Sequence, residues 1–141
     1  MRIKKFKVVL GFFSFTILIG LIVATFYYNK PAVDVKDSEA MYFLTAQDLI
    51  DEFLEDEMGT SRKYSENIIQ VKGKIYNISS NKGNSIITLK DPNAESSVIC
   101  HMLPGENKRI LQFKKGQSIY IKGICTGYLL DVIMVRCTLD D

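Results

Sequence analysis

The chain has no tryptophan, only three prolines and three cysteines, and a single histidine among 141 residues. No two cysteines form a CxxC, and His101 beside Cys100 is too little for a zinc ligand set, so the chain lacks both a zinc-finger motif and the usual redox motif. No nucleophile and base stand together in a recognisable motif. The serines at 79, 80, 96 and 97 lie in turn-rich contexts that already explain them. The expectation is therefore a protein that is not an enzyme, with no catalytic residue, metal or cofactor. Acid is missing from the start of the chain as well. All 16 acidic residues lie after Asn29, whereas Arg2, Lys4, Lys5 and Lys7 crowd the first seven positions. Without those four bases the remainder carries 14 bases against 16 acids, so it lacks the strongly basic balance typical of nucleic-acid binding.

What is present begins with a long apolar run. Residues 8–28, VVLGFFSFTILIGLIVATFYY, are 21 positions without a charge. As a helix this run spans roughly 32 Å, enough for a hydrocarbon core of about 30 Å. Tyr27 and Tyr28 fall where aromatic rings favour the headgroup interface. A buried core helix would show a polar face, which is lacking. A cleaved signal peptide would have a shorter run and small residues at the cut. The reading is an uncleaved single-pass anchor. Bases before it, and mixed charge after it, place the N-terminus in the cytoplasm and the remainder outside. The expected organisation is a basic head (1–7), an anchor (8–28), a stalk (29–44) and a folded domain (45–141).

Within that domain, TAQDLIDEFLEDEM (45–58) reads as one helix. Thr45 and Asp48 have N-cap spacing, Leu49, Ile50, Phe53 and Leu54 make an apolar stripe, and Gly59 is the expected stop. From residue 68 the period changes to two, the signature of strands. Ile69, Val71 and Ile75 alternate with Gln70, Lys72, Lys74 and Tyr76. A turn at 81–84 leads to a strand at 85–90 and a third at 97–103. A short helix over 106–113 is expected to turn Ile110, Leu111 and Phe113 inward. The stretch 117–137, QSIYIKGICTGYLLDVIMVRC, then reads as two strands around a turn. Ile119 and Ile121 face one way, and Ile133 and Val135 continue on the second strand with Arg136 opposed. Gly123 and Gly127 permit the curling of a barrel corner.

Three strands, a helix and two strands form the OB-fold order, a small Greek-key barrel. An SH3-like barrel lacks a helix at this position. Val71-Lys72-Gly73 and Ile121-Lys122-Gly123 echo one another, as neighbouring strands one and four of such a barrel would. The fold expected is mainly β: a five-stranded OB barrel (68–141) preceded by an α-helix and a transmembrane helix.

The segments GKIYNI and KKGQSIYIKGICTGYLLDV and the ending Cys137-Thr138-Leu139 resemble the tRNA_anti-like family. Tyr28-Asn29-Lys30-Pro31 and Thr45-Ala46-Gln47-Asp48-Leu49 are similar to its stalk and first helix. The resemblance implies an OB fold, frequently on a membrane anchor, and carries over no catalytic residues.

Two sets of residues remain as candidates. Cys100, Cys125 and Cys137 all alternate onto the inner side of their strands, as buried thiols or as one disulfide plus a free thiol. Lys72, Lys74, Tyr76, Lys90, Lys122 and Tyr128 are basic and aromatic residues scattered over the barrel. Such residues are ordinary on strand surfaces, and OB domains also use them to hold strands or sugars. Residues 68–141 carry ten bases against six acids, and 45–67 two against seven. The functional expectation is a binding or assembly module of the bacterial envelope, anchored in the cytoplasmic membrane. Its partner would be an envelope protein, peptide or glycan; the alternatives are an oligonucleotide-binding domain and a redox protein using Cys100, Cys125 or Cys137, which lacks the usual reactive motif.

Overall fold

The structure, a computed structural model, describes residues 2–29 and 33–140. The chain divides into two units, 1–33 and 34–141.

The first unit is helix α1, Arg2–Tyr28. Its stretch Lys7–Tyr28 is long and apolar enough to cross a membrane. Ahead of Tyr27 and Tyr28, the polar side chains inside the uncharged run belong to Ser14, Thr16 and Thr25. Both threonine hydroxyls are turned back onto the helix: Thr16 donates to the Phe13 carbonyl at 2.8 Å, and Thr25 to that of Ile22 at 2.8 Å. Satisfying hydroxyls internally is what a hydrocarbon surrounding requires.

The second unit starts earlier than expected. The stretch 29–44 was expected to be a stalk, but Val35 is fully buried and Tyr42–Thr45 forms strand β1, parallel to the next strand. Thr45 then accepts from the Asp48 N–H at 3.1 Å and opens helix α2, Ala46–Glu55. Leu49, Ile50 and Phe53 are buried as the stripe implied, while Leu54 is 60% exposed. The single helix expected over 45–58 is in fact two. Asp56 leaves helical geometry, and its carboxylate accepts from the Gly59 N–H at 3.0 Å, capping helix α3, Glu57–Tyr64. Gly59 therefore lies inside a helix rather than ending one. A new cap of this kind resets the chain direction.

The barrel strands are β2 (Ile68–Asn81), β3 (Asn84–Leu89), β4 (Val98–Met102), β5 (Ser118–Leu129) and β6 (Asp131–Asp140). A 3₁₀ turn, Pro104–Glu106, and helix α4, Asn107–Ile110, lie between β4 and β5. Neighbours run β2-β3-β4-β6-β5, and β5 returns to β2 to close the barrel. All pairs are antiparallel except β4 with β6. This is the five-stranded OB order, with the helix where that order needs it. Strands β2 and β3 are joined by Lys82-Gly83, both at positive φ, as a two-residue hairpin demands. The helix expected over 106–113 is shorter. Ile110 is buried and Phe113 packs on the core, but Leu111 is 85% exposed.

The largest departure is in β6. Val132 and Met134 are buried, so Ile133 and Val135, expected inside, stand half-buried on the outer side. Arg136 then adopts φ +54°, and the pairing slips against both β4 and β5. This β-bulge adds one residue and reverses the alternation, so Cys137 and Leu139 point inward. Opposite it sits Gly123, where a Cβ would come within 2.5 Å of the Cys137 sulfur. Its glycine serves close packing, whereas Gly127 supplies a positive φ of 139°.

Candidate binding face of the barrel

The first half of β2 lies beside β5, with Val71 opposite Ile121, Lys72 opposite Tyr120 and Lys74 opposite Ser118. Because side chains alternate, Ile69, Val71, Ile119 and Ile121 fill the barrel. The other set, Gln70, Lys72, Lys74, Ser118, Tyr120 and Lys122, occupies the outer face. Lys72 Nζ lies 5.3 Å from the centre of the Tyr120 ring, and Lys90 Nζ lies 5.5 Å from that of Tyr76. Between these pairs, Lys74 Nζ stands 4.0 Å from an Asp91 carboxylate oxygen, with both side chains about half exposed. Such an ion pair contributes little stability and leaves both partners available. Lys72, Lys74, Asp91, Gln47 and Ser118 border a hollow of 220 Å³ between β2, β5 and the start of α2. A smaller hollow of 160 Å³, lined by Tyr120, Phe113 and Ser118, adjoins it. Together these features make a surface of ammonium groups, ring faces and a shallow groove, suited to an extended polar chain.

The structure thus brings Lys72, Lys74, Tyr76 and Lys90 together. Lys122 lies on the same outer side, its Nζ donating to the Lys36 carbonyl at 3.2 Å beneath the 34–40 segment. Tyr128 is elsewhere. It lies eight residues beyond Tyr120, roughly 26 Å along an extended strand. Its ring stacks on Phe53 and its hydroxyl shares a 3.2 Å hydrogen bond with Ser96. Gln70, Ser118 and Phe113 join the face without having been singled out beforehand. Gln70 was within reach of the alternation argument, and it donates to the Asp140 carboxylate at 2.5 Å. Ser118 opens β5 and Phe113 comes from the segment ahead of it, whose position depends on the fold.

All three cysteines are free and fully buried. Burial pushes the Cys125 thiol up to about 11, and raises Cys137 well above the ordinary range, where a hydrogen bond with Cys100 adds to it. At neutral pH Cys125 and Cys137 are thiols, which makes them core side chains and poor nucleophiles. Among the described residues no cluster of three His, Cys, Asp or Glu side chains could hold a metal. The remaining acids with partners are structural. Asp131 accepts from the Ser97 N–H at 2.7 Å and its hydroxyl at 2.8 Å. Glu106, buried, takes the Arg109 guanidinium at 3.0 Å and the Leu139 N–H at 3.3 Å. Glu52 accepts from Lys63 Nζ at 3.0 Å and from the Tyr64 hydroxyl at 2.9 Å.

Comparison with known proteins agrees with this architecture. The profile of the tRNA_anti-like family matches residues 1–139. A candidate nucleic acid-binding lipoprotein from Klebsiella pneumoniae superposes with a TM-score of 0.60 at 14% identity, covering 79% of this chain and 100% of its own. Asparaginyl-tRNA synthetase from Entamoeba histolytica matches with a TM-score of 0.42 at 15% identity, over 53% of this chain and 21% of the enzyme. No curated protein sequence matches the chain.

Proposed function

Because this chain belongs to the tRNA_anti-like family, we propose that it is a membrane-anchored OB-fold binding module holding its barrel outside the cytoplasmic membrane. The uncharged span behind four bases supports both the anchor and this orientation. The observation that carries the binding role is the outer face of the barrel, where Lys72 lies over Tyr120 beside the hollow bordered by Lys72, Lys74 and Asp91, and Lys90 lies over Tyr76. Its ligand is an extended envelope peptide or glycan, held by ring faces and ammonium groups. Binding involves no bond-making step, and no residue is assigned a catalytic part.

The same lysine–tyrosine face also supports a second reading, single-stranded nucleic acid, and the structural relative from Klebsiella pneumoniae is described as a candidate nucleic acid-binding lipoprotein. The location favours the first, since an exported domain does not meet cytoplasmic RNA. Three measurements separate them. Reporter fusions after residue 40 are active only with an enzyme that works outside; a cytoplasmic signal sinks the orientation. Pull-down of the anchored protein from its native membrane recovers an envelope peptide or glycan, and Lys72→Ala with Tyr120→Ala abolishes recovery. Steep salt-dependent binding of an oligothymidine strand, weakened roughly 5- to 100-fold by Tyr120→Ala, decides for nucleic acid instead.

A further inference from the structure

A second surface lies at the far end of β5, away from the lysine–tyrosine groove. The Phe53–Tyr128 stack, at 5.6 Å, holds the β5–β6 turn against the two helices, and Glu66 N–H donates to the Cys125 carbonyl at 2.8 Å beside it. Large apolar side chains lie close in sequence to each partner of this stack. Leu54 and Met58 on the helices are 60% and 68% exposed, and Leu129 and Leu130 at the turn are 82% and 80% exposed. One exposed leucine is ordinary, but several at one end of a small domain mark an interaction surface. Leu130 adds a separate indication. It holds φ +67°, a conformation that glycine or asparagine adopts at lower cost than leucine. Strain retained with an exposed apolar side chain points to a use for that side chain.

Charge indicates the kind of partner. Asp51, Glu55 and Glu57 are exposed around Leu54 and Met58, and residues 45–67 carry a net charge of −5. An anionic lipid surface is repelled by such a rim. We propose that the α2–α3 junction and the Leu129–Leu130 turn form a docking surface for a segment of a partner protein, apolar at its centre and lysine- or arginine-rich at its edges. Potential complementarity of this kind sets the orientation of docking and speeds encounter. The surface is separate from the barrel groove and does not depend on what that groove holds.

The test uses the full chain in its native membrane, with a photo-crosslinking side chain at position 54, 58 or 130 and at position 72 as control. Crosslinked peptides are read by mass spectrometry. Positions 54 and 130 are expected to label one protein at one segment, with bases flanking apolar residues, while position 72 does not label it. Reversing the rim with Asp51→Lys and Glu55→Lys is expected to lower the yield at least roughly tenfold. Leu130→Asn keeps the turn geometry, removes the leucine and is also expected to lower the yield. Labelling of lipid, of a second copy of this chain, of a segment without bases, or of nothing would overturn the proposal. So would an unchanged yield in the reversed-charge and Leu130→Asn proteins.

Discussion

The Tyr128 ring stacks on the Phe53 ring, 16° from parallel, so the helix ahead of the barrel and the last hairpin share one core. Offset stacking adds to the area that two aromatic rings already bury. Phe53 is 1% exposed, and Tyr128 packs against the same cluster.

Replacing Phe53 with Ala is expected to cost about 3–5 kcal/mol, the range for a buried phenylalanine. Tyr128→Phe, which removes only the hydroxyl shared with Ser96, is expected to cost about 1 kcal/mol. Thermal melts of the purified full chain measure both. An unchanged midpoint in Phe53→Ala would mean that the helix adds nothing to the stability of the barrel.

Arg136 supports a second prediction. Its bulge turns Cys137 and Leu139 into the core, so deleting Arg136 puts both on the outer side and abolishes cooperative unfolding. Arg136→Gly keeps the residue count and accepts the positive φ without strain. It is expected to stay within about 1 kcal/mol of the parent. If the deletion melts like the parent, the reversal of phase has no energetic role.

The third prediction concerns alkaline pH. Cys125 and Cys137 are raised in the folded protein by burial, so folding binds their protons more tightly than the unfolded chain does. Their contribution is complete below about pH 9 and is lost as pH rises through the folded values, about 11 for Cys125. Urea unfolding between pH 7 and 11 should show stability falling above pH 9, by up to about 1.4 kcal/mol per pH unit for each thiol. Tyr64, raised by its own burial, acts in the same direction. Cys125→Ala should make the fall shallower. An equal slope in that variant would show that its thiol titrates alike in both states.

Several elements follow from the chain alone because their causes are local. An uncharged run of this composition forms one helix long and apolar enough to cross a membrane, whatever follows it. Alternation in β2 fixes which residues face inward, since that period belongs to the strand itself. The Thr45–Asp48 cap and the Lys82-Gly83 turn each involve residues within three positions of one another. On the candidate binding face, the same alternation sends Lys72, Lys74 and Tyr76 outward together.

Tertiary structure decided the rest. Helix α3 has little apolar pattern, and of its residues only Thr60 and Tyr64 are buried, so it is set by the Asp56 cap and by packing. Strand β1 exists because the 42–45 segment pairs with β2 across more than twenty intervening residues. The Arg136 bulge reverses a phase that sequence alternation would continue, because β4 and β5 constrain β6 from both sides. Tyr128 resembles the outer tyrosines in the sequence, yet Phe53 and Ser96 draw it into the packing. Which side of a strand a residue takes is a local matter until the closure of the barrel inserts one residue more; after that, only the neighbours decide.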